Sequence, residues 1–196
     1  LNHQLKKEKK KSKLSMWKEK KETKNTSMLN QEIINLMNEQ IWLENHASFY
    51  YLDLSIKFNI EGFGGMSKFF AQQSQEERVH MLKLVDYLLE KDGVPTLPNY
   101  NFMEENEESF NILSHFENSL LNERKVTNAI NKIVSKCKEV GDYTTENFIQ
   151  WFVTEQREEE NKFKEIIDNL KIIGNDGSGL YEINKELGNG EEEINQ

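Results

Sequence analysis

Gln75-Glu76-Glu77-Arg78-Val79-His80 decides how this sequence folds, together with its later counterpart Thr154-Glu155-Gln156-Arg157-Glu158-Glu159-Glu160. Each lies inside a long segment of helical periodicity and follows a pair of aromatics, Phe69 and Phe70 in one case, Trp151 and Phe152 in the other. On a helix, positions three and four apart share a face. Glu77 therefore projects with His80, Glu155 with Glu159, and Gln156 with Glu159. A carboxylate and an imidazole at that spacing can close on one cation. A solvated acidic helix face produces the same kind of charge run, so the decision rests on what the rest of the chain brings to the same depth.

The 196 residues make one domain, or one domain with a tail. Their net charge of −9 is unevenly spread. Residues 1–27 carry ten lysines against Glu8, Glu19 and Glu22, a balance of +7, which leaves −16 for the remainder. This stretch is expected to be a disordered Lys-rich tail, since it has little besides Leu14, Met16 and Trp17 to bury. Leu1 is not an initiator, and Met28 is a natural start for the folded part. The tail has no arginine and no apolar core, so it fits neither a secretory signal nor a typical transit peptide. An acidic body suits cations better than nucleic acid, whose phosphates need a basic surface. A single cysteine, Cys137, allows no intramolecular disulfide and fits a reducing compartment, so a cytoplasmic location is expected. No apolar run approaches the length of a membrane span.

Helical pattern begins near Asn30, a good N-cap with Glu32 in the first turn. The glycines of Glu61-Gly62-Phe63-Gly64-Gly65 are expected to end this first helix. A second runs to about Lys91, where Gly93 and Pro95 stop it. Residues Gly93 to Glu108 show no periodicity. The third helix starts near Ser109 and ends before Gly141; Asp142 caps the fourth, which runs to Ile173. A short amphipathic piece, Leu180 to Leu187, closes the domain at about residue 188, ahead of a polar tail over 189–196. Helices of about 27–32 residues are roughly 40–48 Å long. Short turns make antiparallel hairpins of the first pair and of the second pair, and a middle connection of about 16 residues can reach roughly 50 Å. The expectation is an all-α fold: a four-helix bundle with one long crossover and a short fifth helix.

Bundles of this topology that hold two metal ions place a lone inward Glu on two helices and Glu-x-x-His on the other two. Here helix one offers Glu44, helix three Glu123, helix two Glu77-x-x-His80 and helix four Gln156-x-x-Glu159, all near mid-length. Four carboxylates gathered in a core repel one another and are costly to desolvate, so they remain ionised only around cations. A donor set that is nearly all oxygen, with one imidazole, disfavours a tetrahedral structural zinc and suits Fe(II) or Mn(II). A carboxylate shared between two ions, for which Glu77 is best placed, makes the site dinuclear.

Residues 28–188 resemble the non-haem ferritins of the bacterial type. The matching segments are Asn38-Glu39-Gln40-x-x-Leu43-Glu44, Gln75-Glu76-Glu77-x-x-His80, Gln150-Trp151-Phe152-x-x-Glu155-Gln156-x-Glu158-Glu159-Glu160 and Gly179-Leu180-Tyr181-x-Ile183-x-Lys185-Glu186-Leu187. The resemblance implies ferroxidase activity, with O2 or H2O2 as oxidant, and iron storage in a homo-oligomeric 24-subunit shell. It places Glu44, Glu77, His80 and Gln156 around a first iron, and Glu77, Glu123 and Glu159 around a second. Tyr51, two turns after Glu44, matches the tyrosine found beside that centre. A third iron would lie at Glu76, Glu155 and Glu158, with Glu159 shared; a solvated acidic patch is the rival reading of those three. No membrane or nucleic-acid partner is expected.

Departures from neighbouring families narrow the choice. Bacterioferritin-like chains put His where Glu159 stands and a haem-ligating Met where Arg78 stands, so haem is not expected. Cys137 alone excludes the rubredoxin domain of rubrerythrin-like peroxidases. The short fifth helix argues against the small DNA-protecting relatives. A non-catalytic shell would carry a basic or apolar replacement among Glu44, Glu77, His80, Glu123 and Glu159, and none is present. The three arginines, Arg78, Arg124 and Arg157, each follow a proposed ligand; position i+1 turns about 100° away, so they are not ligands themselves.

Overall fold

The side chain of Asn30 accepts a hydrogen bond from Glu32 N at 2.8 Å, and α1 runs from there over Gln31–Ile60. The computed structural model describes residues 28–97 and 110–189; the expected tail over 1–27, residues 98–109 of the middle connection and residues 190–196 lie outside them. Four further helices follow: α2 (Gly64–Glu90), α3 (Ile112–Val140), α4 (Tyr143–Ile173) and α5 (Gly177–Asn189). The described residues contain no strand, and none of their helices is long and apolar enough to cross a membrane. The fold is an all-α four-helix bundle with a short C-terminal helix.

Most helix limits follow the sequence signals. Asp142 caps α4 by accepting from Thr145 N at 3.0 Å, and Gly141 closes α3 in the left-handed conformation, φ 74°, which favours a residue without Cβ. The glycine cluster divides where one helix end was expected: Gly62 turns the chain out of α1, while Gly64 and Gly65 open α2. The reason lies in α5. Asn184 Oδ1 accepts from Gly65 N at 2.9 Å and Met66 N at 3.0 Å, giving α2 the N-terminal cap that Phe63 does not supply. A Cβ on residue 65 would stand 1.5 Å from the Asn184 carbonyl oxygen, so only glycine lets α5 approach this closely. Two other starts shift. α3, expected to start near Ser109, begins at Ile112 with Asn111 as its cap, and α5 gains a turn because Asp176 Oδ2 accepts from Gly179 N at 2.7 Å.

Cross-helix contacts fix the directions. Lys136 near the end of α3 pairs with Glu32 at the start of α1 at 2.6 Å, so these helices are antiparallel. Tyr87 near the end of α2 bonds Thr145 at the start of α4 at 2.9 Å, so these are antiparallel too. With α1 and α2 joined as a hairpin, α2 and α3 run parallel. The ends of their connection agree. Thr96 N donates to Asn38 Oδ1 at 2.6 Å, whereas the Phe110 ring sits 5.1 Å from that of Phe58. Twenty residues of α1 separate those anchors, about 30 Å of helix, as one long crossover requires.

The buried interior falls into two apolar parts. One end is mainly aliphatic, around Ile33, Met37, Ile41, Leu84, Ile130 and Ile133. The other is aromatic, with Phe58, Phe70, Phe116 and Phe163 below Tyr51. Phe58 stacks on Phe70 at 5.1 Å and Phe70 leans on Phe116 at 4.9 Å, contacts that add about 0.5–1.5 kcal/mol each beyond area burial. Such packing can carry a costly layer between the two parts.

Candidate metal centre

That layer is made of acids. Glu44 on α1, Glu77 and His80 on α2, Glu123 on α3, and Gln156 and Glu159 on α4 are all buried, at 1 to 5 % exposure. The helical spacing read from the sequence is what gathers them, because each sits at the inward position of its helix near mid-length. Glu44, Glu77 and His80 come closest together. Each offers a ligand atom, and these atoms lie within 4.8 Å of one another, the arrangement a single cation needs. His80 Nδ1 is 3.4 Å from Glu77 Oε2, and its ring stands edge-on to Trp151 at 5.4 Å.

Glu123 and Glu159 are differently engaged. The Tyr51 hydroxyl donates to Glu123 Oε1, and Gln156 Nε2 donates to Glu123 Oε2 at 2.5 Å. Tyr51 is held for this by Phe70 and Phe163, stacked at 5.9 and 5.8 Å. Lys162 Nζ donates to Glu159 Oε1 at 2.9 Å. Glu44 Oε2 and Glu159 Oε2, by contrast, are buried oxygens that no N–H or hydroxyl donor reaches; a proton on Glu44 or Glu77 joins those two carboxyls to each other. Native interiors rarely leave such atoms unsatisfied unless something else binds them.

The electrostatics agree. Burial pushes Glu44 well above the usual carboxylate range, and the neighbouring Glu77 pushes it further. Burial and then the charge of Glu123 do the same to Glu77. Glu123 is raised to about 8, chiefly by burial, although the bonds from Tyr51 and Gln156 oppose the rise. Burial raises Glu159 as well, against the opposing pull of Lys162. Tyr51 is raised by burial and by the charge of Glu123, which keeps its hydroxyl a donor. Burial raises all four carboxyls, with Lys162 on Glu159 the one ammonium that opposes it, and such a cluster could exchange its protons for metal cations.

The three residues expected to hold a third ion are placed less decisively. Glu76 is half-buried and accepts from Gln72 Nε2 at 3.1 Å, from Gln73 Nε2 and from Lys162 Nζ at 3.5 Å. Glu155 is half-buried and Glu158 exposed, the latter 3.8 Å from Arg157. None of the three belongs to the close cluster around Glu44. Of the other arginines, Arg124 reaches across to Glu160 on α4 at 3.7 Å and Arg78 is exposed.

Sequence reading missed two contributors. Gln40 is fully buried and donates to Glu44 Oε1 at 2.7 Å, fixing that carboxylate. Lys162 contacts Glu159 one turn away and Glu76 on α2. Both lie three or four residues from an expected ligand, so the face-sharing rule that singled out those residues would have singled out these two as well.

Comparison with known proteins gives the family and the fold. The model of the ferritin-like domain family matches residues 34–173. The chain is 37% identical over 163 residues to a probable bacterial non-heme ferritin-like protein of Haemophilus influenzae, covering 83% of this chain and 97% of that one. It is 38% identical over 154 residues to the bacterial non-heme ferritin of Campylobacter jejuni, covering 79% and 91%. Among solved structures it is similar to an open-pore ferritin from the hyperthermophilic archaeon Archaeoglobus fulgidus, with a TM-score of 0.77, 32% identity, and coverage of 83% and 98%.

Proposed function

The chain belongs to the ferritin family, and on that premise we propose that it oxidises Fe(II) at the mid-bundle centre and stores the ferric product in a closed homo-oligomeric shell of 24 subunits. The observation that carries the reading is the buried Glu44, Glu77 and His80 cluster, with ligand atoms within 4.8 Å and a Glu44 oxygen that no N–H or hydroxyl donor reaches. Glu44, Glu77, His80 and Gln156 take a first Fe(II). Glu77, Glu123 and Glu159 take a second, with Glu77 common to both. Glu76, Glu155 and Glu158 provide a third position that shares Glu159.

Iron is the substrate here, and the residues act on it in order. Binding displaces protons from the raised carboxyls, so an ion enters without leaving uncompensated buried charge. Two Fe(II) side by side then give one electron each. With O2 as oxidant those two electrons and two protons yield H2O2; with H2O2 they yield water. Tyr51 and Gln156 hold Glu123 by their hydrogen bonds, and the aromatic layer excludes water from that side of the centre.

Aerobic addition of Fe(II) to the purified protein tests the proposal. Ferric absorbance should grow well above the autoxidation background, and growth at the background rate would reject the ferroxidase reading. Light scattering tests the shell. Twenty-four chains of 23.1 kDa make a particle of about 550 kDa, a closed symmetric oligomer, and a monomer or dimer at micromolar concentration would reject it.

A further inference from the structure

Lys162 stands where helix α4 faces α2, and its ammonium touches two acids from different helices. It lies 2.9 Å from Glu159 Oε1 and 3.5 Å from Glu76 Oε2. A lysine paired only with a glutamate one turn away is an ordinary helix-surface contact. This one differs in two respects. Glu159 is buried at 3 % exposure, and the second carboxylate comes from across the bundle. One positive charge between Glu76 and Glu159 occupies the place a metal ion shared by those residues would take. The other oxygen of Glu159, Oε2, has no hydrogen-bond partner, so the lysine satisfies half of that carboxylate and leaves half for the centre.

On its outer side Lys162 borders a cleft of about 470 Å³ between α2, α4 and α5, lined also by Phe69, Gln72, Glu165, Ile166 and Glu186. The cleft gives the four-carbon side chain somewhere to go. Glu165 and Glu186 offer the ammonium carboxylate partners there, and the apolar stem can lie along Phe69 and Ile166.

We propose that Lys162 is a positioning residue that keeps the third cation position closed: its ammonium bridges Glu159 and Glu76 in the metal-free chain, and Fe(II) enters only when the side chain swings into the cleft. The inference rests on the iron reading above and adds to it a reason for ordered loading. The first ion's ligands hold no ammonium and the second's hold one only on the outer oxygen of Glu159, whereas the third ion must displace Lys162 from between Glu159 and Glu76.

Anaerobic Fe(II) titration of the assembled full chain tests this, using wild type, Lys162→Met, Lys162→Arg, Lys164→Met and Glu77→Ala. Lys162→Met keeps the stem and removes the charge, so its third step should tighten by about five- to tenfold, the scale of one partly buried ion pair. Lys162→Arg should titrate like wild type. So should Lys164→Met, whose lysine pairs instead with Glu160 at 3.7 Å. An unchanged third step in Lys162→Met overturns the proposal, and so does equal tightening in Lys164→Met, which would mark a general charge effect. The first two steps, absent in Glu77→Ala, are read in the same titration. If wild type lacks them the dinuclear reading falls as well; if they are present and Lys162→Met is unchanged, only the role of the lysine falls.

Discussion

Glu44 and Glu77 face His80 with few competing bonds, whereas Glu123 and Glu159, in the same buried layer, already hold partners: Tyr51 and Gln156 on one, Lys162 on the other. The first half of the centre is open and short of donors. The second is braced and partly neutralised. This contrast shows how one layer of four acids can exist in an apolar bundle. Hydrogen bonds and an ammonium fix Glu123 and Glu159 in place without fully offsetting burial, so all four acids keep a raised proton affinity until a cation arrives. Glu77 belongs to both halves, and its raised proton affinity reflects burial first and the charge of Glu123 second.

The most severe way to break the contrast is to remove the residue common to both halves. Glu77→Ala should abolish fast Fe(II) oxidation, lowering the initial rate by about a hundredfold or more, since even outer-shell changes at metal sites cost about 10- to 100-fold. Stopped-flow ferric absorbance is the measurement, and a wild-type rate would remove Glu77 from the centre.

Stability against pH probes the layer without iron. Carboxyls raised by folding hold protons that the unfolded chain releases near the ordinary value of 4.5, so in that window the folded state binds more protons. Stability from this source is full below about pH 4.5 and is lost as pH rises through the folded values, about 8 for Glu123. For a shift of that size the loss is of the order of a few kcal/mol. The metal-free protein should therefore melt at a lower temperature at pH 8 than at pH 5.5, and a redox-inert divalent ion should narrow the gap while releasing protons in an unbuffered titration. A melting temperature that rises steadily to pH 8 in the absence of metal would contradict the raised values.

A smaller effect is expected at the rim. Replacing Glu155 and Glu158 together with alanine should change the number of Fe(II) bound per subunit and the course of oxidation after the first turnover, with the first two ions still binding. Identical stoichiometry in wild type and double variant would leave the centre dinuclear and those residues as a solvated acidic patch.

What could be read from sequence follows the same division. The buried, mid-length positions of Glu44, Glu77, His80, Glu123 and Glu159 were legible because helical spacing and the helix limits set them and the ligand pattern of two-metal bundles singled them out. The partners that separate the two halves were harder to see. Tyr51 and Glu123 lie 72 positions apart and meet through packing, and Glu76 and Lys162 lie 86 apart. The glycines at 64 and 65 read as a helix end because nothing local reveals that Asn184, more than a hundred residues on, caps that point. Contacts made by helical period are written in the sequence, while contacts made by the docking of whole helices are not.

The subtlest probe is one oxygen atom. Tyr51→Phe keeps the ring between Phe70 and Phe163 and removes only the donor to Glu123 Oε1. Gln156 still holds Oε2, so Glu123 stays near its position. Losing a bond that opposed the rise should push its proton affinity higher, and the second Fe(II) must then displace a proton held more tightly. A buried acceptor left without its donor costs about 1–3 kcal/mol when nothing replaces the bond, but a metal ion can replace it here. The effect should thus appear mostly before iron binds: a lower melting temperature of the metal-free protein at pH 8, and initial oxidation slowed by no more than about threefold, well under one kcal/mol of barrier. The first ion, held by Glu44, Glu77 and His80, should bind as in wild type. If Tyr51→Phe instead stopped oxidation as Glu77→Ala should, the hydroxyl would have to act on the reacting iron and oxygen themselves, and the division into an open half and a braced half would have to be redrawn.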